Sequence, residues 1–248
     1  MPSPVENVDL KALPADEICP THGPYEDHHH WSHRSVRCAD CDRAGDAYRH
    51  RLEQEGLCNE RLRDSGLVGW TARATFESYV AALPEQKKAL EACRALVVKG
   101  EKRGDTPWLL GPPGTGKTHL GSAMVNYVIR QRERPAAIHS ARDIIRKMRA
   151  TWGNRQAGKS ESEVLEDLAD LSLLVIDEVG VGFGSDSELV QLFDVIDLRY
   201  RLERPTALIS NYSVAELKPV LGDPAFDRLR QGARVVPMNW PSHRRSVA

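Results

Sequence analysis

The chain has 248 residues, of which 41% are hydrophobic and 28% are charged, and its formal net charge is −1. This length suits one full-sized domain with a small appendage, and the composition is typical of a globular protein with a buried core. The near-neutral charge gives the whole molecule no nucleic-acid footprint, and its apolar runs are far shorter than the roughly 20 residues of a membrane span. Residues 1–17 lack the basic and apolar regions of a secretory signal, so we expect a cytoplasmic protein.

A cysteine- and histidine-rich segment, residues 16–45, contains two tight pairs of metal-ligand residues. The pairs are Cys19-x2-His22 and Cys38-x2-Cys41, which is the spacing of a tetrahedral zinc site with three thiolates and one imidazole. Cysteines in a cytoplasmic protein rarely form disulfides, and a segment so poor in aliphatic residues needs a staple to fold. We therefore predict a structural zinc module. Further histidines compete with His22 for the imidazole position: His28, His29, His30 and His33.

The remaining chain divides into three parts. The several prolines of residues 1–15 indicate a disordered leader. The polar pattern of residues 46–69 predicts a linker helix that ends near Gly66. Residues 70–248 alternate between strand-like and helix-like segments, which predicts a parallel α/β sheet. The first 64 residues carry 8 Lys and Arg against 13 Asp and Glu, whereas the remainder carries 26 against 22. Nucleic acid is therefore expected to bind the later part, if any part.

The predicted sheet has five short apolar strands with helical crossovers between them, which makes a three-layer α/β sandwich. The predicted strands are 107–111, 136–140, 171–177, 205–211 and 233–239. The predicted helices are 84–99, 117–132, 141–152, 160–170, 187–203 and 224–231.

A phosphate-binding loop follows the first of these strands. The segment "GPPGTGKTHL" holds the pattern G-x-x-x-x-G-K-T and opens a predicted helix, which is the context this loop requires. Its glycines let backbone N–H groups wrap phosphates at the positive end of the helix. Lys117 is expected to reach the β- and γ-phosphates of ATP, and Thr118 to bind Mg²⁺. The predicted nucleotide-binding residues are Gly111, Pro112, Pro113, Gly114, Thr115, Gly116, Lys117, Thr118 and His119.

An acidic pair ends the predicted strand 171–177. In "LSLLVIDEVG" the apolar run leads into Asp177 and Glu178 at the carboxyl end of the strand, where α/β sheets place their chemistry. We expect Asp177 to hold Mg²⁺ through water and Glu178 to act as the general base on the attacking water. A water-activating glutamate is what an ATPase needs and a small-molecule kinase does not.

These motifs, with "TALISN" and the ending "DRLRQGARVVPMNWPSHR", resemble the AAA+ ATPases of the DnaC group, which includes helicase loaders and the related IstB transposition helpers. The resemblance covers roughly residues 70–246. It implies an AAA+ sandwich with a five-stranded parallel sheet in the order 5-1-4-3-2. The helical lid of many AAA+ proteins is not expected, because only four residues follow Arg244.

The resemblance also assigns roles to three residues. Asn211 is implied to be the polar sensor between Glu178 and the γ-phosphate. Arg228 is implied to be an arginine finger that reaches the nucleotide of a neighbouring subunit, so that ATP-dependent self-assembly controls hydrolysis. Arg244 is implied to be a second sensor of the bound nucleotide.

The predicted helix 141–152 carries a basic stripe. Arg142, Arg146 and Arg149 share one face, and Ile145, Met148 and Trp152 form the opposite face. Such a stripe is suited to binding single-stranded DNA. In the DnaC group, the corresponding region is associated with single-stranded DNA. An ordinary amphipathic surface helix with Trp152 in the core explains the pattern equally well.

Together with these features, the resemblance to the DnaC group implies a zinc-bearing ATPase that binds a hexameric replicative helicase of the DnaB type and places it on single-stranded DNA, with hydrolysis driving release. The zinc module would rigidify the helicase-docking arm, whose net negative charge disfavours a phosphate-seeking role. Two alternatives remain open: an IstB-like transposition helper, and a zinc-dependent DNA-binding adaptor that uses ATP only as a switch.

Overall fold

The computed structural model describes residues 18–19, 21–24, 39–99, 106–151, 158–180 and 186–243. The chain divides into two compact units, residues 1–57 and residues 58–248. The helices are α1 (Ala39–Asp64), α2 (Pro84–Lys99), α3 (Lys117–Gln131), α4 (Ala141–Arg149), α5 (Glu161–Asp170), α6 (Asp186–Arg201), α7 (Val214–Leu221) and α8 (Asp223–Gln231). The strands are β1 (Ile18–Cys19), β2 (Gly23–Pro24), β3 (Thr106–Leu110), β4 (Ala136–Ser140), β5 (Leu173–Asp177), β6 (Thr206–Ser210) and β7 (Ala233–Pro237).

The first unit contains a short hairpin and most of α1. Strands β1 and β2 pair in antiparallel register, with Cys19 opposite Gly23. Helix α1 begins at Ala39, seven residues before the predicted start of the linker helix, because the sequence offers no proline or paired glycines to stop it there. The helix ends at Asp64, and Gly66 takes the left-handed conformation with φ of +76°.

The second unit is built on a five-stranded parallel sheet in the order β4-β5-β6-β3-β7. In chain order within the sheet this reads 2-3-4-1-5, which confirms the predicted topology. Strand β3 lies between β6 and β7, and β5 lies next to β6. Since all five strands are parallel, the carboxyl ends of β3, β5 and β6 meet at one edge of the sheet.

Helices cover both faces of this sheet, because its central strands are apolar on both sides. Alternate strand residues such as Leu109, Val175 and Ile209 pack with α2 and α3 in one core. Their neighbours, including Leu110 and Ile176, pack with α4, α5, α6, α7 and α8 in the other. The result is the expected three-layer sandwich. Within the described residues, no helix is both long and apolar enough to span a membrane.

Helix α7 was not predicted. It occupies Val214–Leu221 and contains Pro219, which argues against a helix when the sequence is read alone. Its first turn is fixed by a capping box, in which the Ser213 hydroxyl accepts from the Glu216 N–H and the Glu216 carboxylate accepts from the Ser213 N–H. The S-x-x-E pattern that encodes this box was the available signal.

Candidate nucleotide-binding site

The phosphate loop connects the end of β3 to the start of α3, as the sequence predicts. Gly114 and Gly116 have φ values of +83° and +92°, a region that L side chains rarely adopt. A Cβ atom at Gly114 would lie 1.9 Å from the Ser242 Oγ, and one at Gly116 would lie 2.7 Å from the Tyr79 ring. Both positions therefore require glycine, and the loop they shape lies at the start of α3, where backbone N–H groups favour an anion.

Lys117 is the first residue of α3, and its side chain is buried against the loop. Its Nζ donates to the carbonyl oxygens of Gly111 at 2.6 Å and Pro112 at 2.7 Å. The lysine thus supplies a buried positive charge beside the loop, as phosphate binding requires.

The Thr118 hydroxyl donates to the Asp177 Oδ2 at 2.8 Å, which joins α3 to the carboxyl end of β5. The Glu178 N–H donates to the other oxygen of Asp177 at 2.7 Å. Burial raises the pKa of Asp177 above its usual value, although these two hydrogen bonds oppose the shift. A divalent cation at this carboxylate would relieve the cost of burying its charge.

Glu178 and Asn211 line the same cleft, and both are exposed. Glu178 has φ of +55°, an uncommon conformation for a residue other than glycine that is associated with functional sites. Asn211 follows the last residue of β6. The strand order therefore brings the loop, the acidic pair and Asn211 together, as predicted.

The cleft has a volume of about 420 Å³, within the usual range of small-ligand sites. Of the predicted loop residues, Pro113 to His119 line it, while Gly111 and Pro112 hold Lys117 through their carbonyls. The donor set, the glycine cradle and this volume fit a nucleoside triphosphate with Mg²⁺. Sequence reasoning missed the remaining wall residues, which are Trp70, Ser78, Tyr79, Val80, Gln86, Ile209, Ser210, Trp240 and His243.

His119 connects the phosphate-loop helix to the segment that precedes α2. Its Nε2 lies 3.1 Å from the Ser78 Oγ and 3.1 Å from the Thr75 carbonyl oxygen. The rings of Trp70 and Tyr79 lie 6.2 Å and 5.4 Å from the imidazole, centroid to centroid. His119 therefore positions the wall of the cleft, a role that its place in the motif does not reveal.

The end of the chain returns to the phosphate loop. The Trp240 Nε1 donates to the Thr115 carbonyl at 3.0 Å, and the His243 N–H donates to the Gly114 carbonyl at 2.9 Å. Arg244, the predicted second sensor, lies outside the described residues. The residues directly before it are nonetheless held against the loop.

Arg228 lies elsewhere, on α8. It shares a small cavity with Thr106 and Thr206, the first residues of β3 and β6. The phosphate loop follows the last residue of β3, so about 13 Å of strand separates the two places. Arg228 is also not among the described residues that line the nucleotide cleft.

The basic helix α4 packs through Ile144, Ile145 and Met148, which are buried. Arg142 and Arg146 are exposed. Arg149, the third residue of the predicted stripe, instead pairs with Glu188 of α6 at 3.0 Å and donates to the Ser187 hydroxyl at 3.4 Å. Trp152 lies outside the described residues.

The predicted zinc ligands are described only in part. Cys38 and the side chains of Cys19 and Cys41 lie outside the described residues, and His22 is exposed in the turn between β1 and β2. Within the described residues, no group of three or more His, Cys, Asp or Glu is arranged to hold a metal ion. The zinc site therefore stays a prediction.

A phosphate loop that faces an Asp-Glu pair in a sheet of this strand order defines an ATP-binding domain with the AAA+ fold. The chain belongs to the IstB-like ATP binding protein family, whose model matches residues 77–247. It is 34% identical to the replicative helicase loader DnaC of Escherichia coli (strain K12) over 200 residues, which cover 79% of this chain and 80% of that protein.

Solved structures support the same fold. The crystal structure of the DnaC helicase loader aligns with a TM-score of 0.61 at 20% identity, covering 68% of this chain and 99% of the other. The crystal structure of DnaI aligns with a TM-score of 0.59 at 19% identity, covering 72% and 95%.

Proposed function

We propose that this protein is an ATP-dependent loader that binds a hexameric replicative helicase in the bacterial or phage-infected cytoplasm and places it on single-stranded DNA. The observation that carries the proposal is the 34% identity to a replicative helicase loader across four fifths of both chains. The complete phosphate loop and acidic pair indicate that nucleotide chemistry is retained, because Lys117, Thr118, Asp177 and Glu178 line one cleft.

In this proposal the loop N–H groups and Lys117 bind the phosphates of ATP. Thr118 and Asp177 hold Mg²⁺, which neutralises charge on the phosphates when bound. The Glu178 carboxylate accepts a proton from the attacking water, and the Asn211 side chain orients that water against the γ-phosphate. Arg244 contributes a further contact to the nucleotide from the segment that His243 anchors.

Arg228 serves as the arginine finger of a neighbouring copy. Arg228 lies beside the first residues of β3 and β6, whereas the phosphate loop follows the last residue of β3. This separation favours contact with the nucleotide of a neighbouring copy over contact with the nucleotide of its own chain. An arginine on the transferring phosphate is worth a factor of about 10³–10⁵ in rate. Hydrolysis would therefore require assembly.

The exposed face of α4 binds the DNA strand through Arg142 and Arg146. Arg149 holds α4 to α6 through Glu188, so its contribution to DNA binding is the smaller one.

The N-terminal unit docks the helicase and is stapled by zinc on Cys19, His22, Cys38 and Cys41. The hairpin of β1 and β2 supports this proposal at the level of the backbone, because it places a tight turn within the Cys19-x2-His22 pair. Zinc knuckles use such turns to bring two ligands together.

The first experiment is co-elution with the replicative helicase of the same organism on size exclusion in the presence of ATP. Wild type is compared with Cys38→Ser/Cys41→Ser, and Cys58→Ser serves as the matched control because Cys58 lies outside the ligand pattern. We expect one high-mass peak that the double variant loses and the control keeps, and about one zinc per wild-type chain.

If wild type elutes alone under every nucleotide condition, the loader proposal is wrong. If the protein contains no zinc and still binds the helicase, the zinc proposal is wrong and the loader proposal stands.

An IstB-like transposition helper is the second candidate, because the matching family model carries that description. Stimulation of ATP hydrolysis by a transposase, without binding to the helicase, distinguishes it. A zinc-dependent adaptor that uses ATP only as a switch predicts negligible steady-state hydrolysis even with DNA.

A further inference from the structure

Arg228 is held by a specific cluster on α6. Its Nε donates to the Asp197 Oδ1 at 2.5 Å, and its Nη1 donates to the Pro224 carbonyl of its own helix at 3.1 Å. Its guanidinium carbon lies 4.8 Å from the centre of the Phe193 ring and 5.7 Å from the centre of the Tyr200 ring.

The three α6 residues of this cluster share one helix face. Phe193, Asp197 and Tyr200 follow the i, i+4, i+7 spacing that stacks side chains along an α-helix. The Tyr200 hydroxyl also donates to the Gln231 Oε1 at 2.6 Å, which ties α6 to the end of α8. The face is therefore fixed relative to Arg228, and its carboxylate and ring faces suit a cation.

Asp197 forms ion pairs with two arginines at once. Its Oδ2 forms an ion pair with the Arg201 Nε at 3.0 Å, while its Oδ1 accepts a hydrogen bond from the Arg228 Nε. The Asp197 side chain is 20% exposed, and that of Arg228 is 32% exposed. The ion pair is thus shielded on the α6 side, while the guanidinium remains accessible from outside.

Two of the three guanidinium nitrogens of Arg228 are engaged by residues of the same chain. Of its five N–H groups, the contacts to Asp197 and Pro224 use one on Nε and one on Nη1. Within the described residues, its Nη2 has no hydrogen-bond partner. A planar guanidinium held through both Nε and Nη1 keeps its Nη2 in a fixed direction, as recognition of a phosphate requires.

We propose that Asp197 is a positioning residue for ATP hydrolysis: with Phe193 and Tyr200, it orients Arg228 so that its Nη2 edge meets the phosphates bound by a second copy of this chain. This inference rests on the proposed action of Arg228 on a neighbour. The competing explanation is a brace between α6 and α8 with no effect on hydrolysis.

The test mixes two defective copies of the full chain. The acceptor copy carries Arg228→Ala and keeps its own nucleotide site; the donor copy carries Glu178→Gln, which supplies the finger but does not hydrolyse ATP. Mixing is expected to restore phosphate release well above either copy alone. No restoration would mean that Arg228 does not act in trans, and the proposed role of Arg228 fails whatever Asp197 does.

Asp197→Asn is then added to one copy at a time. On the donor copy it should lower the restored rate at least tenfold. On the acceptor copy, which has no Arg228 to orient, the same substitution should leave the restored rate unchanged. Equal losses on both copies, or no loss on the donor, would overturn the proposal. This arrangement separates misfolding from misorientation, because both mixtures contain the same substitution.

Two further donor variants sharpen the result. Asp197→Glu keeps the charge and should recover part of the rate. Arg201→Ala removes only the second, more exposed partner of Asp197 and should preserve the rate within about twofold, the effect of a surface ion pair. ATP affinity, measured with a fluorescent analogue, should stay the same in all donor copies, since Asp197 is not among the described residues lining the cleft.

Discussion

At the scale of single residues, Arg199 forms a buried hydrogen-bond network outside the nucleotide cleft. It is fully buried, and it donates to the carbonyls of Leu168, Ala169, Leu171 and Pro205 and to the Thr206 hydroxyl. Burial lowers the pKa of its guanidinium to about 9. With one side chain the arginine binds the carboxyl end of α5, the residue that follows this helix and the start of β6, so several elements depend on it.

Replacing Arg199 with methionine should therefore reduce the free energy of unfolding by about 3–5 kcal/mol, because it leaves several buried carbonyls without donors. Arg199→Lys should lose nearly as much, since one ammonium cannot reproduce the planar fork. Urea unfolding followed by circular dichroism measures both. Arg146→Met is the control; Arg146 is an exposed arginine in a surface ion pair with Asp143, and it should cost under about 1 kcal/mol.

The acidic pair permits a separation of binding from chemistry. Glu178→Gln should keep ATP affinity while kcat falls at least about a hundredfold, because a general base contributes about 10²–10⁴. Lys117→Ala should lose binding itself. Equilibrium ATP binding and phosphate release, measured on the same samples, separate affinity from kcat. A Glu178→Gln protein with a normal kcat would show that Glu178 is not the general base.

At the scale of elements, the end of α1 is fastened to the edge strand of the sheet. The Ile138 N–H donates to the Ser65 carbonyl at 2.8 Å. Next to it, the Lys147 Nζ lies 2.8 Å from the His139 Nε2, and Gly66 packs so closely that a Cβ there would lie 2.6 Å from the Nδ1. Because an ammonium only donates, the imidazole is neutral and accepts at Nε2.

This junction predicts a dependence of stability on pH. Burial, and then the charge of Lys147, lower the pKa of His139 to about 4; Asp143 opposes the shift. In the unfolded chain the imidazole takes up its proton near pH 6.5. The neutral His139 imidazole therefore makes its full contribution to the free energy of unfolding above pH 6.5. As the pH falls this contribution is lost, and the free energy of unfolding decreases by about 2 kcal/mol at pH 5.

Thermal unfolding at pH 7.5 and pH 5 tests this expectation. His139→Gln should lose less stability on acidification than wild type, by about 2 kcal/mol. His50→Gln, which changes an exposed histidine of α1, should follow the wild-type profile. Identical profiles for wild type and His139→Gln would contradict the assigned titration.

The DNA role of α4 leads to a prediction about salt. Arg142→Ala/Arg146→Ala should weaken single-stranded DNA binding and lower the slope of log affinity against log salt by about 1.4, because each lost phosphate contact removes about 0.7. Fluorescence anisotropy between low and high salt measures the slope. An unchanged slope would mean that Arg142 and Arg146 do not contact DNA phosphates and that α4 is an ordinary surface helix.

The sequence predicted elements well wherever local pattern and tertiary packing agree. The bounds of α2 and β4 match the predicted 84–99 and 136–140 residue for residue. Where local pattern and packing disagree, an element was missed, because Pro219 argues against the helix α7 that the structure contains. Helix α1 begins at Ala39, before the predicted module boundary at residue 45.

The nucleotide site shows the same limit. Lys117, Asp177 and Glu178 lie in contiguous motifs, whereas Trp70, Tyr79 and the other wall residues join the site only through tertiary contacts. The burial of Arg199 had no sequence signal, because an arginine near the end of a helix is usually exposed.

At the scale of the whole molecule, ATP should stabilise the ATPase unit by mass action. At a hundredfold excess over its Kd, ATP with Mg²⁺ adds about 2.7 kcal/mol, which corresponds to an increase in Tm of about 5–10 °C for a domain of this size. Lys117→Ala should show no increase. A comparable shift in that variant would place the nucleotide outside the phosphate loop.

The return of the chain to the phosphate loop has a consequence for biosynthesis. Strand β3 emerges from the ribosome early, yet its two neighbours in the sheet begin only at Thr206 and Ala233, and such distant pairings form slowly. The indole that donates to the Thr115 carbonyl lies 125 residues further along the chain. A nascent polypeptide thus carries the complete phosphate-loop sequence long before the loop has its final contacts. Competence to bind nucleotide should appear only after translation has reached Trp240, so incomplete products would not compete for ATP.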